Sequence, residues 1–143
     1  MICIAIDSAE RLVFFSNVIR SLQSMRFVVI SDQPVAQLLK LFRNVEQVVV
    51  ISGKPATIPI DIWDDCEKVV EFYRERLSCS EISALRHAIN TNLGEIFSKY
   101  AIRKCLVWNG QTVVSKAVAD ECRDRAVECI FFEIGNFKNK VFA

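Results

Sequence analysis

The segment CLVWNG at residues 105–110 and the segment CIFFEIGN at residues 129–136 are built alike. Each segment begins with an apolar run and ends in a polar residue close to a glycine. The residues between the two segments, 111–128, have the length of one helix. Buried strands of a parallel α/β sheet read as continuous apolar runs, and the turns that follow neighbouring strands meet at one edge. The pattern therefore predicts that Asn109 and Glu133 lie at the same edge of a sheet.

The rest of the chain alternates between short apolar runs and amphipathic stretches. Strands are predicted at residues 2–6, 27–30, 45–51, 103–108 and 128–132. Helices, with apolar residues spaced by three and four, are predicted at residues 9–25, 34–42, 61–77, 80–100 and 111–125. Alternating strands and helices favour right-handed crossovers and a parallel sheet. We expect one Rossmann-like α/β domain over residues 1–143, a three-layer sandwich with a five-stranded parallel sheet of order 3-2-1-4-5 and helices on both faces.

This strand order places a switch point between the first and fourth strands, where the direction of sheet growth reverses. Ligands of such sheets bind in the crevice outside the carboxyl ends of the strands at that point. A carboxylate there can act as a general acid or base, amide and hydroxyl groups can hydrogen-bond a substrate, and glycine lets the backbone approach it. The candidate catalytic residue is Glu133, and the candidate substrate-binding residues are Ser8, Asn109, Gly110, Gly135 and Asn136.

Each of these residues also has a purely structural interpretation. Ser8, or Asp7 before it, can simply cap the first helix. Asn109 and Gly110 are residue types that tight turns favour. Glu133 can be an exposed carboxylate at the end of a strand. The sequence leaves both interpretations open for each residue.

The composition suits a domain with a large core and argues against several classes of protein. Hydrophobic residues make up 52% of the 143 residues and the mean hydropathy is +0.26, yet no apolar run reaches the roughly 18 residues that span a bilayer. The apolar surplus is consistent with a surface covered by a partner domain or a second copy of the chain. The net charge is +1 and no basic stripe interleaves with aromatic residues, so we do not expect nucleic-acid binding.

The N-terminus and the cysteines indicate the compartment. Met1 leads directly into a strand-like run without the features of a signal peptide, so we expect a cytoplasmic protein, with peripheral association with the inner membrane left open. The six cysteines form no CxxC pair and His87 is the single histidine, which predicts free, buried thiols and no metal site. Since the first strand is followed by no glycine and the chain has no GxxxxGK[ST] motif, we predict no bound cofactor. The chain also has no GxSxG motif, which together with the single histidine argues against Ser/His catalysis.

The pattern of strand, WNG at residues 108–110, helix, strand and FFEIGN at residues 131–136 resembles bacterial capsule polysaccharide biosynthesis proteins and the related retaining Kdo (3-deoxy-manno-octulosonic acid) transferases. The specific match covers about residues 105–143, and residues 12–77 agree only in general pattern. The resemblance implies a glycosyltransferase of two Rossmann-like domains, in which both motifs line the N-terminal side of the cleft and Glu133 lies nearest the chemistry. A family member continues past Ala143 into a second domain that binds CMP.

On this resemblance, we expect the N-terminal domain of an enzyme that transfers Kdo from CMP-Kdo to a glycan or glycolipid acceptor, needs no metal, and is inactive without its second domain. Glu133 would be the catalytic or acceptor-orienting carboxylate. Two other functions stay open: a non-catalytic α/β interaction module of a polysaccharide assembly or export complex, and a small flavodoxin-like nucleotide-binding domain.

Overall fold

A computed structural model describes residues 1–6, 8–31, 34–51, 79–108, 113–134 and 141–142. The strands of these residues are β1 Ile2–Ile6, β2 Phe27–Ser31, β3 Val45–Val50, β4 Lys104–Trp108, β5 Glu128–Ile134 and β6 Val141–Phe142. The helices are α1 Ala9–Ser21, a 3₁₀ helix Pro34–Leu41, α2 Cys79–Tyr100 and α3 Val113–Asp124. The helix predicted at residues 61–77 lies outside the described residues.

The strands form one sheet of order β3-β2-β1-β4-β5-β6. Its first five strands are parallel, which confirms the predicted order 3-2-1-4-5. The sixth strand was not predicted, and it runs antiparallel to β5 with Glu133 opposite Phe142 and Ile134 opposite Val141. Because this pairing supplies hydrogen-bond partners beyond Phe132, β5 continues two residues past its predicted end and Glu133 lies inside the strand rather than in a turn.

Side chains leave the strands alternately toward two cores, one on each face of the sheet. Ile4 and Ile6 of β1 enter the core under α1 and the 3₁₀ helix, together with Phe15, Ile19 and Leu39. The opposite core lies under α2 and α3 and contains Cys3, Ala5, Leu93, Phe97, Cys105, Val107, Val114, Val118 and Cys122. This two-sided burial explains why the strands read as continuous apolar runs, and it confirms a Rossmann-like fold with helices on both faces.

Helix α1 ends at Ser21 rather than near Met25, where the apolar spacing predicts its end. The last carbonyls of a helix have no partner inside it. Asn44, which is buried just before β3, donates from Nδ2 to the carbonyl oxygens of Ile19 at 2.9 Å and Leu22 at 3.2 Å. A residue far along the chain therefore ends this helix.

Arg125, directly after α3, connects the C-terminal turns of α2 and α3 through hydrogen bonds and an ion pair. Its Nη1 donates to Ser98 Oγ at 3.0 Å and its Nη2 to the carbonyl oxygen of Gly94 at 3.3 Å. The same guanidinium pairs with Glu121 and lies 5.9 Å from the centre of the Phe97 ring. None of the helices in the described residues has the length and hydropathy that crossing a membrane requires.

Candidate functional site

The carboxyl ends of β4 and β5 lie side by side, as the two motifs predict. The strands pair in parallel over their whole common length, up to Trp108 opposite Phe132. Glu133 follows directly on this last pair. The other residues predicted here, Asn109, Gly110, Gly135 and Asn136, lie outside the described residues, so their part in a site stays a prediction.

Glu133 carries an exposed carboxylate at this end of the sheet. No other described residue forms a hydrogen bond or ion pair with it. Residues alternate between faces along a strand, so Glu133 shares the face of Cys129, which packs into the core under α2 and α3. An exposed, unpaired carboxylate can accept a hydrogen bond from a ligand hydroxyl or take its proton.

Ser8 is the N-cap of α1, at the same end of the sheet but toward the opposite face. Its hydroxyl oxygen accepts a hydrogen bond from the backbone N–H of Arg11 at 3.3 Å. The pKa of Glu10 is lowered by a hydrogen bond from its own backbone N–H, by one from the Ser8 hydroxyl, and by the charge of Arg11. Ser8 is thus engaged at the start of the helix, which is its structural interpretation, and substrate binding by Ser8 stays a prediction.

An aromatic cluster holds the start of α1 against the ends of β4 and β5. Phe14 contacts Trp108 and Phe132 edge to face, with ring centres 5.2 Å and 5.5 Å apart, and Phe15 lies 5.9 Å from Phe132. The Arg11 guanidinium lies 5.6 Å from the centre of the Trp108 ring. Such pairs contribute about 0.5–1.5 kcal/mol each beyond simple burial. The cluster therefore fixes the strand ends from which the predicted site residues extend.

Sequence reasoning missed most of this cluster. Apolar residues at helical spacing, such as Leu12, Phe15 and Ile19, predict the buried face of α1, but this spacing gives no role to Phe14, which lies next to Phe15 in the chain. The signal that was available is the run of two phenylalanines at residues 14–15 together with Trp108 and Phe132 at the ends of two predicted strands.

On the other side of the switch point, hydrogen bonds close the ends of β1 and β2. Ser31 is fully buried, and its hydroxyl donates to the carbonyl oxygen of Ile6 at 2.6 Å. The Ser31 carbonyl in turn accepts from the backbone N–H of Ile51 at 2.8 Å. Ser31 therefore has a structural role that sequence reasoning did not assign.

Four cysteines lie next to one another in the core under α2 and α3. Cys3, Cys105 and Cys129 are neighbours across β1, β4 and β5, and Cys122 of α3 contacts this row. All four are free, as predicted. A hydrogen bond to Cys105 together with burial raises the pKa of Cys122 to about 12, and a hydrogen bond to Cys122 with burial raises that of Cys129 well above its usual range.

Only the thiolate reacts readily, so the raised pKa values of Cys122 and Cys129 make these two thiols small hydrophobic groups rather than nucleophiles. Within the described part of the chain, no group of histidine, cysteine or acidic side chains has the arrangement of a metal site. The remaining two cysteines lie outside the described side chains.

Comparisons of the chain with protein-family models, with curated proteins and with solved structures found no match in any of the three. Of the predicted site residues, the structure describes Ser8 and Glu133. Ser8 is engaged as a helix cap, whereas the exposed carboxylate of Glu133, beside the end of β4, has no hydrogen bond or ion pair with another described residue.

Proposed function

We propose that this chain is the N-terminal domain of a cytoplasmic glycosyltransferase that transfers Kdo from CMP-Kdo to a glycan or glycolipid acceptor. The observation that carries the proposal is the exposed carboxylate of Glu133 at the carboxyl end of β5, next to β4. In parallel α/β sheets this end is where ligands bind. The resemblance of the motifs at residues 108–110 and 131–136 to Kdo transferases supports the choice of chemistry.

In the proposed reaction, the bond between the anomeric carbon of Kdo and the phosphate of CMP breaks, and CMP leaves. A bond forms between that carbon and the acceptor oxygen, and the acceptor hydroxyl loses its proton. Glu133 would accept a hydrogen bond from the acceptor hydroxyl and so orient it or take its proton. Asn109 and Asn136 would donate to other sugar oxygens, because an amide group supplies the donors that a carboxylate lacks.

The test is the substitution Glu133→Gln, assayed for Kdo transfer together with the CMP-binding domain that the proposal requires. Glutamine keeps the size of the side chain and removes the charge, so we expect transfer to fall by about 100-fold or more with an unchanged melting temperature.

Glu128→Gln is the matched control, since Glu128 starts the same strand and its pair with Lys104, 3.0 Å apart, is exposed and contributes little to stability. We expect this variant to keep its activity within about twofold. Unchanged transfer in Glu133→Gln would remove Glu133 from the mechanism.

A non-catalytic interaction module is the second candidate function, and one observation favours it. Large apolar side chains of α1 and the 3₁₀ helix, Val13, Leu38 and Leu41 among them, are exposed to solvent. Exposed apolar patches of this kind mark interaction surfaces. An interaction module would bind a protein partner and show no affinity for a Kdo-containing saccharide.

Calorimetric titration of the chain with CMP and with FMN tests the flavodoxin-like alternative. The glycosyltransferase proposal assigns CMP to the second domain, so we expect no heat of binding from either nucleotide. Saturable binding of FMN or CMP to this chain alone would favour the nucleotide-binding alternative.

A further inference from the structure

An apolar groove lies between α1 and the 3₁₀ helix, on the face of the sheet away from α2 and α3. Its volume is about 350 Å³. Leu12, Val13 and Ser16 of α1 form one wall, and Leu38, Leu41 and Phe42 form the other. Neither wall belongs to the proposed site of Glu133, which lies at the end of the sheet and toward its other face.

Three large apolar side chains at the edges of this groove, its rims, are exposed to solvent. Leu41 is 83% exposed, Val13 62% and Leu38 60%. Covering these side chains would remove apolar surface from water, which favours association. Because Val13 lies on one wall and Leu38 and Leu41 lie on the other, an occupant must contact both walls to cover all three side chains.

The groove is adjacent to a second depression of about 340 Å³, which is lined mainly by cationic and polar side chains. Arg20 and Arg43 supply its positive charge, and Leu41 and Phe42 are shared with the apolar part. The Arg20 guanidinium lies 5.7 Å from the centre of the Phe42 ring. Within the described part of the chain, neither arginine has a carboxylate at ion-pair distance. An occupant with negative charge at this depression would complement both.

Shape and charge together favour an α-helix as the occupant. An amphipathic helix can place an apolar stripe against both walls and acidic residues beside that stripe, against Arg20 and Arg43. A single acyl chain carries one negative charge for these two arginines. A bilayer surface is flat, whereas these residues line a concave groove.

We propose that this groove binds an amphipathic α-helix of a partner protein, with the apolar residues of that helix between α1 and the 3₁₀ helix and its acidic residues against Arg20 and Arg43. Helices bound in grooves are recognised in this way, through apolar anchors repeated at three and four residues with charges at the edge. The inference does not depend on the glycosyltransferase proposal, because it uses a different face of the domain.

The probe is a labelled synthetic peptide of about 14 residues that is held helical by a covalent link between two side chains one turn apart. It carries leucine along one face, glutamate beside that face and alanine elsewhere, and its binding is followed by fluorescence anisotropy. We expect saturable binding that weakens as salt is added, because the arginines are exposed and their interactions are screened. Leu41→Ser and Arg43→Glu should each weaken binding about tenfold or more, since one removes an apolar contact and the other reverses the charge.

Two matched variants lie outside the groove and should leave binding unchanged. Met25→Ser removes another exposed apolar side chain, 46% exposed, and Arg123→Glu reverses a charge on α3, on the opposite face. Melting temperatures of all four variants confirm that each is folded.

Other probes give the outcomes that would overturn the proposal. Equal binding of a helix in which lysine replaces every glutamate would contradict the role of the arginines. Absence of binding by the acidic helix up to about 1 mM would contradict the groove as a helix site. Binding to vesicles of phosphatidylcholine and phosphatidylglycerol, or to dodecanoate, in place of the helix would show that the occupant is a membrane surface or a single acyl chain.

Discussion

Two alanines adopt the left-handed backbone conformation, which is unfavourable for residues other than glycine. Ala101 has φ 46° and Ala126 has φ 55°, and they follow the ends of α2 and α3. Glycine is usual at this position, because the left-handed conformation costs an L-residue about 1–2 kcal/mol. The chain contains only four glycines, none of them at these helix ends.

Ala126→Gly should therefore stabilise the protein. We expect the free energy of unfolding in urea to rise by about 0.5–1 kcal/mol, since glycine removes the strain but also gives the unfolded chain more freedom. Ala119→Gly, inside α3, is the matched control and should lower it by about 1 kcal/mol. A loss of stability in Ala126→Gly equal to that in the control would contradict a strained helix end.

At the scale of single elements, the structure shows what local sequence patterns can and cannot predict. The spacing of Leu12, Phe15 and Ile19 predicts α1, because one helix face enters the core. The end of α1 depends on Asn44, which approaches only when the chain has folded. The end of β5 likewise depends on β6, a strand of two residues with no pattern of its own. The end of a helix or strand cannot be predicted from its own sequence when it depends on contacts with residues distant along the chain.

The buried hydrogen bonds of Asn44 give a test at this scale. In Asn44→Ala two carbonyls at the end of α1 lose their donor, so we expect the free energy of unfolding to fall by about 1–3 kcal/mol. Asn17→Ala, on the exposed side of α1, is the control and should change it by less than about 0.5 kcal/mol. Equal effects of the two substitutions would mean that Asn44 does not hold the end of α1.

At the scale of the whole molecule, one sheet carries two separate surfaces. The carboxyl ends of β4 and β5 present Glu133, and the groove between α1 and the 3₁₀ helix lies on a face of the sheet. Because the proposed saccharide site and the proposed helix groove do not overlap, we expect a saccharide and a partner helix to bind together.

The strand order was predictable because five apolar runs of strand length alternate with helical spacing, and such chains have few allowed topologies. The sequence also predicts that a site lies at the carboxyl ends of the strands, because ligands of parallel α/β sheets bind at that end. The groove was not predictable, since apolar residues at helical spacing are equally consistent with burial. Val13 and Leu38 differ from core residues only in their exposure to solvent, because no other part of the described chain packs over them. This exposure depends on the tertiary structure, so the local sequence does not show it.

The most direct measurement of the proposed function is an NMR titration of the ¹⁵N-labelled chain with a Kdo-containing acceptor saccharide. We expect the amide shifts to concentrate at the carboxyl ends of β4 and β5, at Trp108, Phe132 and Glu133, and to disappear in Glu133→Gln. Shifts at the opposite end of the same strands, around Lys104 and Glu128, or shifts that persist unchanged in Glu133→Gln, would contradict a saccharide site built on Glu133.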